Sequence, residues 1–534
     1  MKSKFIISLI ILSVTCIFYS CGSDDGPGTD PVDPPEEYNR QQESIEMKST
    51  ILSRTVRYSV LLPEEYDKTK NTYPVVYLLH GYGDNENSWL KGGNIRTYAD
   101  RAVANGTSEP VILVMPQGNN TYYVNRYNGD YNYMDMITSE LVPLIDEKYR
   151  TKKDKRYRAV MGYSMGGYGA FILPTLNPDI FSASVALSMS WRTDEQYMAE
   201  PQGVFDSQFG SIFGGVGQSG QGRITDYFKK MSPFHFFKAS DVSKYSEVNY
   251  FLDCGDDEEQ LSITNDRLHA LMLDKNIRHE YRMRNGAHNW DYWSGSMNDA
   301  FAFMQASFDQ SSLEEEDAEV STNPDNLKGE YSEISINGLT EKGGLYLPQD
   351  YATSGLKYPV IYILHDRKTL DTRSSIRKVL SLVETGYIVA GLSKCIVVEL
   401  PVKSIFSSDF FSQVVEHIDT NYRTLPQKSA RIIMANNDGG RFVENTLPLV
   451  NGCFLYNAEL PEAGISRDLP FYYLDMTDKF TGCEQYSNLY SSLRADGIEH
   501  QYRVRNGTDS YRSFLNGLSE SFAYMNSYLD KPTQ

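Results

Sequence analysis

The chain has 534 residues, 40% hydrophobic and 23% charged, with a formal net charge of −19. That length exceeds what one hydrophobic core organises, so two or more domains are expected. The acidic balance makes nucleic acid or any other polyanion a poor partner, because phosphate binding needs clustered Lys and Arg. Thirty-nine tyrosines stand out; a flat ring with a polar tip suits carbohydrate or aromatic ligands as well as sheet packing.

The start, "MKSKFIISLIILSVTCIFYSC", has basic residues, a short apolar run and a small residue before Cys21. This reads as a secretory signal over residues 1–20, too short and wrongly flanked for a spanning helix. The Ser20-Cys21 junction resembles a bacterial lipoprotein cleavage box. The expectation is a secreted lipoprotein, anchored at the outer membrane or cell surface through a lipid on Cys21; an uncleaved membrane anchor is the alternative. The following "GSDDGPGTDPVDPPEE" is rich in Pro, Gly and Asp, and residues 21–47 are read as a disordered tether. Its acidic residues resemble the surface-export signal of Bacteroidetes lipoproteins. Of the later cysteines, none shows CxxC spacing, so zinc is unsupported, and a Cys453–Cys483 disulfide is left open.

Residues 48–310 alternate strand and helix signals. "VVYLL" and "VILVM" read as buried parallel strands, and "MITSELVPLIDEKY" has helical spacing of apolar residues. The expected fold is α/β, a mostly parallel sheet with helices on both faces and functional groups at the carboxyl ends of the strands.

"RYRAVMGYSMGGYGAF" is a β-branched strand running into a Gly-flanked serine and a small-residue helix start. This is the pattern of a nucleophile elbow carrying Ser164. A serine hydroxyl is a weak nucleophile until a base takes its proton, and the expected chain order is nucleophile, acid, histidine. Four histidines follow. His288 lies in "NGAHNW", a turn after a strand, and is the predicted base. His279 reads as structural, His269 as a surface helix residue and His235 as a minor candidate. The acid is sought in "VNYFLDCGDDEEQ", as Glu258 or Asp257; Asp253 reads as a solvated loop edge closing the strand. An oxyanion hole needs backbone N–H donors from Met165 and from the loop in "LLHGYGDNENSW", at Tyr82. His80 in that loop reads as structural.

Two further segments bear on the substrate. "GNNTYYVNRYNGDYNYMD", residues 118–135, brings aromatics to the expected rim, and residues 191–223 form an insertion that could lid a pocket.

The rest of the chain repeats this plan in order. "YPVVYLLHGYGD" is answered by "YPVIYILHDRKT", "RAVMGYSMGG" by "RIIMANNDGG" and "IRHEYRMRNGAHNW" by "IEHQYRVRNGTDSY". In the second copy Asn437 stands for Ser164, Lys479 for Asp257, Phe480 for Glu258, Asp509 for His288 and Asp366 for Gly81. Asp253, Asp256, His279 and His80 keep counterparts, which marks them as structural. Residues 311–328 are read as an acidic linker and 329–530 as a degenerate, non-catalytic second domain, with intramolecular pairing of the two domains an open expectation.

On these motifs, residues 48 to 308 resemble the esterase D-like α/β-hydrolases, and within them carbohydrate esterase family one, the feruloyl and acetylxylan esterases. The repeat makes this two tandem α/β-hydrolase-like domains; the resemblance implies no cofactor, and no metal is expected. The family acid is usually an Asp three positions after the loop glycine; here that position is Glu258, a carboxylate one methylene longer, with Asp257 the alternative. It implies a serine carboxylesterase acting on carbohydrate or phenolic esters through an acyl-enzyme on Ser164. An acyltransferase with the same triad, or a catalytically silent surface glycan-binding protein, are the competing expectations.

Overall fold

A computed structural model of the chain describes residues 39–239, 242–311, 318–336, 342–365, 373–401, 407–508 and 510–534. The expected signal peptide, Cys21, most of the tether, part of the acidic linker, Asp366 and Asp509 lie outside the described residues.

The first half contributes eight strands: β1 (Gln41–Ser49), β2 (Arg54–Leu61), β3 (Val75–Leu79), β4 (Ile112–Pro116), β5 (Arg158–Tyr163), β6 (Ala183–Leu187), β7 (Asn249–Gly255) and β8 (His279–Arg284). The second contributes β9 (Glu330–Ile334), β10 (Gly343–Leu347), β11 (Val360–His365), β12 (Ile396–Pro401), β13 (Arg431–Asn436), β14 (Gly452–Tyr456), β15 (Phe471–Thr477) and β16 (Glu499–Arg505). Within the first half the order is β1-β2-β4-β3-β5-β6-β7-β8, and the second repeats it as β9-β10-β12-β11-β13-β14-β15-β16. From β4 to β8 all neighbours are parallel. The two sets meet where β8 runs antiparallel to β16, Met283 opposite Val504, giving one 16-stranded sheet.

Burial explains the strand sequences. Every residue of β3, β5 and β6 is buried, as expected of β-branched and small apolar runs covered on both faces. One apolar core runs through both halves on one face of the sheet, whereas two separate cores lie on the other. Local ties recur at matched positions: Arg158 pairs with Asp146 at 2.5 Å and Arg431 with Asp419 at 2.6 Å.

Two expectations need correction, one is refined and one open question is answered. The tether does not extend to residue 47, because Gln41–Ser49 pairs with β2 as an edge strand. The described end of the linker, residues 318–328, is docked on the second half: the Val320 N–H donates to Asn516 at 2.8 Å and the Asn323 N–H to Ser381 at 2.7 Å. His269 is fully buried, its Nδ1 2.8 Å from His279 Nε2. Cys453 and Cys483 are buried free thiols, so no disulfide joins them.

Candidate active site

Ser164 lies between β5 and the helix Met165–Leu176, at φ 58° and ψ −121°. Non-glycine residues rarely hold positive φ, and the neighbouring glycines show why this turn is so tight. A Cβ on Gly162 would fall 2.1 Å from the Gly166 carbonyl oxygen, and one on Gly166 would fall 2.2 Å from that of Leu79. The helix start is thereby pressed against the end of β3. The Met165 N–H belongs to the helix's first turn, whose N–H groups have no intrahelical acceptor. Tyr82, the other expected oxyanion donor, follows β3 on a turn continued by Gly83 at φ 85°, and its side chain is exposed.

His288 Nε2 lies 2.9 Å from the Ser164 Oγ, and its Nδ1 lies 2.7 Å from Glu258 Oε2. The second oxygen of Glu258 accepts from the Ser188 hydroxyl at 2.6 Å and from the Gly255 N–H at 2.9 Å. Ser188 in turn accepts from Trp293 Nε1 at 2.8 Å, and the Trp293 ring meets His288 edge-on at 5.1 Å. The Glu258 side chain is fully buried while that of Asp257 is exposed, so of the two candidate acids Glu258 is the one brought to the imidazole. Three loops after β5, β7 and β8 thus converge at the carboxyl ends of adjacent or neighbouring strands. Close backbone approach holds two of them together, since a Cβ on Gly255 would fall 2.1 Å from the Gly286 carbonyl oxygen.

The remaining predicted residues fall outside this constellation. His80 is buried; its Nε2 accepts from the Gly118 N–H at 2.9 Å and its Nδ1–H donates to the Gly81 carbonyl at 2.8 Å. Burial pulls its pKa down, which keeps the ring neutral and structural. His279 Nδ1 donates to the Ile277 carbonyl, and His235 pairs with Asp194 at 2.9 Å. Asp253 is not a solvated loop edge: it is wholly buried, 2.6 Å from Arg284, and also accepts from the Tyr292 hydroxyl.

The insertion and the aromatic loop pack on each other. Residues 191–223 build a packed cap on the helix Met165–Leu176. Trp191 stacks on Tyr168 at 4.3 Å, Tyr197 on Phe228 at 4.0 Å, and the buried Arg223 donates to the carbonyls of Tyr197, Met198 and Glu200. The cap grips the aromatic loop through Tyr122 on Phe209 and the Tyr127 N–H on the Ile212 carbonyl. Tyr122 and Tyr123 are buried; Tyr127, 49% exposed, is the one that faces solvent most. Sequence reasoning missed Ser188 and Trp293. Ser188 ends a strand without any motif, and only its contact with Glu258 marks it.

At the equivalent place in the second half, Asn437 keeps the elbow's positive φ of 49° and Asn457 keeps that of Ser188, 43° against 47°. Phe480, where Glu258 would stand, packs on Tyr486 at 5.6 Å. The backbone frame is retained with different side chains on it.

Comparison with known proteins bears on the first half. Residues 49–304 match the family model described as putative esterase. An endo-1,4-beta-xylanase/feruloyl esterase of Xylanibacter ruminicola is 33% identical over 151 residues, 27% of this chain and 20% of the relative. An acetyl esterase of Caldicellulosiruptor saccharolyticus is 22% identical over 275 residues, 49% of this chain and 96% of the relative. A solved ferulic acid esterase is 26% identical and aligns with 50% of this chain and 99% of its own, at a TM-score of 0.42. The chain spans about a fifth to a quarter of the length of the first curated relatives it matches.

Proposed function

We propose, on the premise that residues 49–304 belong to the putative esterase family, that this chain is a serine carboxylesterase of the feruloyl or acetyl type. The observation that carries the reading is the hydrogen-bonded series Ser164–His288–Glu258, at 2.9 and 2.7 Å. In this mechanism His288 takes the Ser164 proton as the hydroxyl attacks the ester carbonyl. Glu258, held by Ser188 and Gly255, orients the ring and stabilises the imidazolium. The Met165 and Tyr82 N–H groups receive the oxyanion. The alcohol leaves with the proton from His288, and water then releases the acid from the acyl-enzyme by the reverse sequence.

The acyl group is read as acetyl or a plant phenolic and the alcohol as a carbohydrate. The similarity to relatives named feruloyl esterase and acetyl esterase supports this. A panel of p-nitrophenyl acetate, methyl ferulate and acetylated xylan tests it. Hydrolysis of at least the first is expected, together with fluorophosphonate labelling of Ser164. Ser164→Ala should cost about a thousandfold or more in kcat, and unchanged turnover in that variant refutes the reading.

The enzyme is further read as a lipoprotein held at the membrane through Cys21, on the strength of the basic and apolar start before that cysteine. Cys21→Ser should release activity into the soluble fraction; a variant that still sediments with membranes speaks against the anchor. The second half is read as a non-catalytic partner domain.

A further inference from the structure

The loop that carries Glu258 is held from two directions, and one of them is the second half of the chain. Asp256, two residues before Glu258, is 4% exposed. Its Oδ1 accepts from the Gly286 N–H at 3.2 Å, two residues before His288. Its Oδ2 accepts from Arg503 Nη1 at 2.6 Å and from the Tyr502 N–H at 3.3 Å. Its main-chain carbonyl accepts from the Tyr490 hydroxyl at 2.9 Å and from Arg494 Nη1 at 2.5 Å. Four donors from the second half therefore converge on one residue that touches both the acid loop and the base loop.

Half of this grip is reciprocal. Asp478, the counterpart of Asp256, accepts from Arg282 Nη1 and from the Tyr281 N–H, both at 3.2 Å, and from the Gly507 N–H at 3.1 Å. Such exchange of like contacts is what a two-fold interface produces. The other half is not reciprocal. The positions matching Tyr490 and Arg494 in the first half are His269 and Leu273; His269 turns to His279 instead, and leucine has no donor. The two extra donors exist only on the side whose loop holds a carboxylate against an imidazole. Symmetric packing alone does not require that difference.

We infer that the second half serves as a positioning subunit in cis: Tyr490 and Arg494, with Arg503, hold the turn at Asp256 so that Glu258 meets His288. These are positioning residues, since they touch neither the triad nor the substrate. The inference rests on the esterase reading above. It explains why a copy without a nucleophile keeps so exact a fit to its neighbour.

The test uses the full chain with Tyr490→Phe and Arg494→Met, singly and together. On p-nitrophenyl acetate the pair should lower kcat about tenfold or more, as expected when a catalytic group loses its alignment, with KM changed less than about twofold. Arg494→Lys should restore part of the loss. In a Glu258→Gln background the same pair should cost less than about twofold, because a group acting through Glu258 has nothing left to align. Hydrogen exchange at residues 255–258 should quicken in the pair while β3 and β5 stay protected. If the pair does not fold, Tyr490→Phe alone, which removes one hydroxyl, carries the comparison. Unchanged kcat, an undiminished loss in the Glu258→Gln background, or unchanged exchange at 255–258 each overturns the inference. Absence of any Ser164-dependent turnover in the parent chain instead overturns the esterase reading, and with it this one.

Discussion

Gly162 shows how little freedom the turn at Ser164 has. Its missing side chain leaves room for the Gly166 carbonyl, and a methyl group there would overlap backbone that has nowhere to go. Gly162→Ala should therefore destabilise the chain by about 2 kcal/mol or more and lower kcat, read by thermal melting alongside the acetate assay. The two candidate acids separate as sharply. Glu258→Gln keeps the shape but removes the charge that stabilises the imidazolium, and should lower kcat about a hundredfold or more. Asp257→Asn changes an exposed side chain and should leave kcat within about twofold. Ser164 and His288 were legible from the sequence because the elbow needs its glycines and the histidine sits in a turn after the last strand of the half. Between Asp257 and Glu258 the residue pattern alone left both open and only the family spacing favoured Glu258, since adjacent carboxylates differ in which one the turn at Gly255 directs inward.

At the scale of elements, the helix Gln260–Asp274 and strand β8 bring two histidines together in the interior. His279 donates to the Ile277 carbonyl through Nδ1, so its Nε2 accepts from His269 Nδ1–H, and His269 Nε2 is buried without a partner. Both rings are thus neutral. Burial pushes His279 down to about 4, and burial with the neighbouring His279 pushes His269 well below its usual range. The unfolded chain takes up these protons near an ordinary histidine pKa of about 6.5. The folded chain refuses them until the pH falls well below that. Stability from this pair is therefore full above about pH 6.5 and is lost as pH falls toward 4. His279 alone accounts for about 3 kcal/mol of that loss, and His269→Tyr, the residue type found at Tyr490, should lessen the fall in melting temperature between pH 7 and 4.5. His269 was read as a surface residue because helical spacing alone does not say which face meets a neighbouring helix. The edge strand β1 was missed for a related reason: "QQESIEMKS" is polar on its open side, and its pairing with β2 outweighs its weak apolar pattern.

At the scale of the molecule, the repeat was readable because matched segments keep their order, and the structure gives both halves the same strand order. That the halves share one sheet was not readable. The seam is made by Asp256, Asp478, Arg282 and Arg503, and charged residues on a strand ordinarily signal a solvated edge. Cutting the chain near residue 310 would strip Asp256 and Arg282 of buried partners, at about 3–5 kcal/mol for a broken buried pair, and bare the edge of β8. The shortened chain should aggregate or, where soluble, turn over ester more slowly than the whole; a soluble fragment matching the parent's kcat counts against a structural role for residues 329–530. The antiparallel join has a geometric consequence. The strands flanking the join run in opposite directions, and seven strand spacings, about 34 Å of sheet, separate β5, which leads into Ser164, from β13, which leads into Asn437. The two turns therefore belong to separate crevices, and a small ligand held at one does not touch the other.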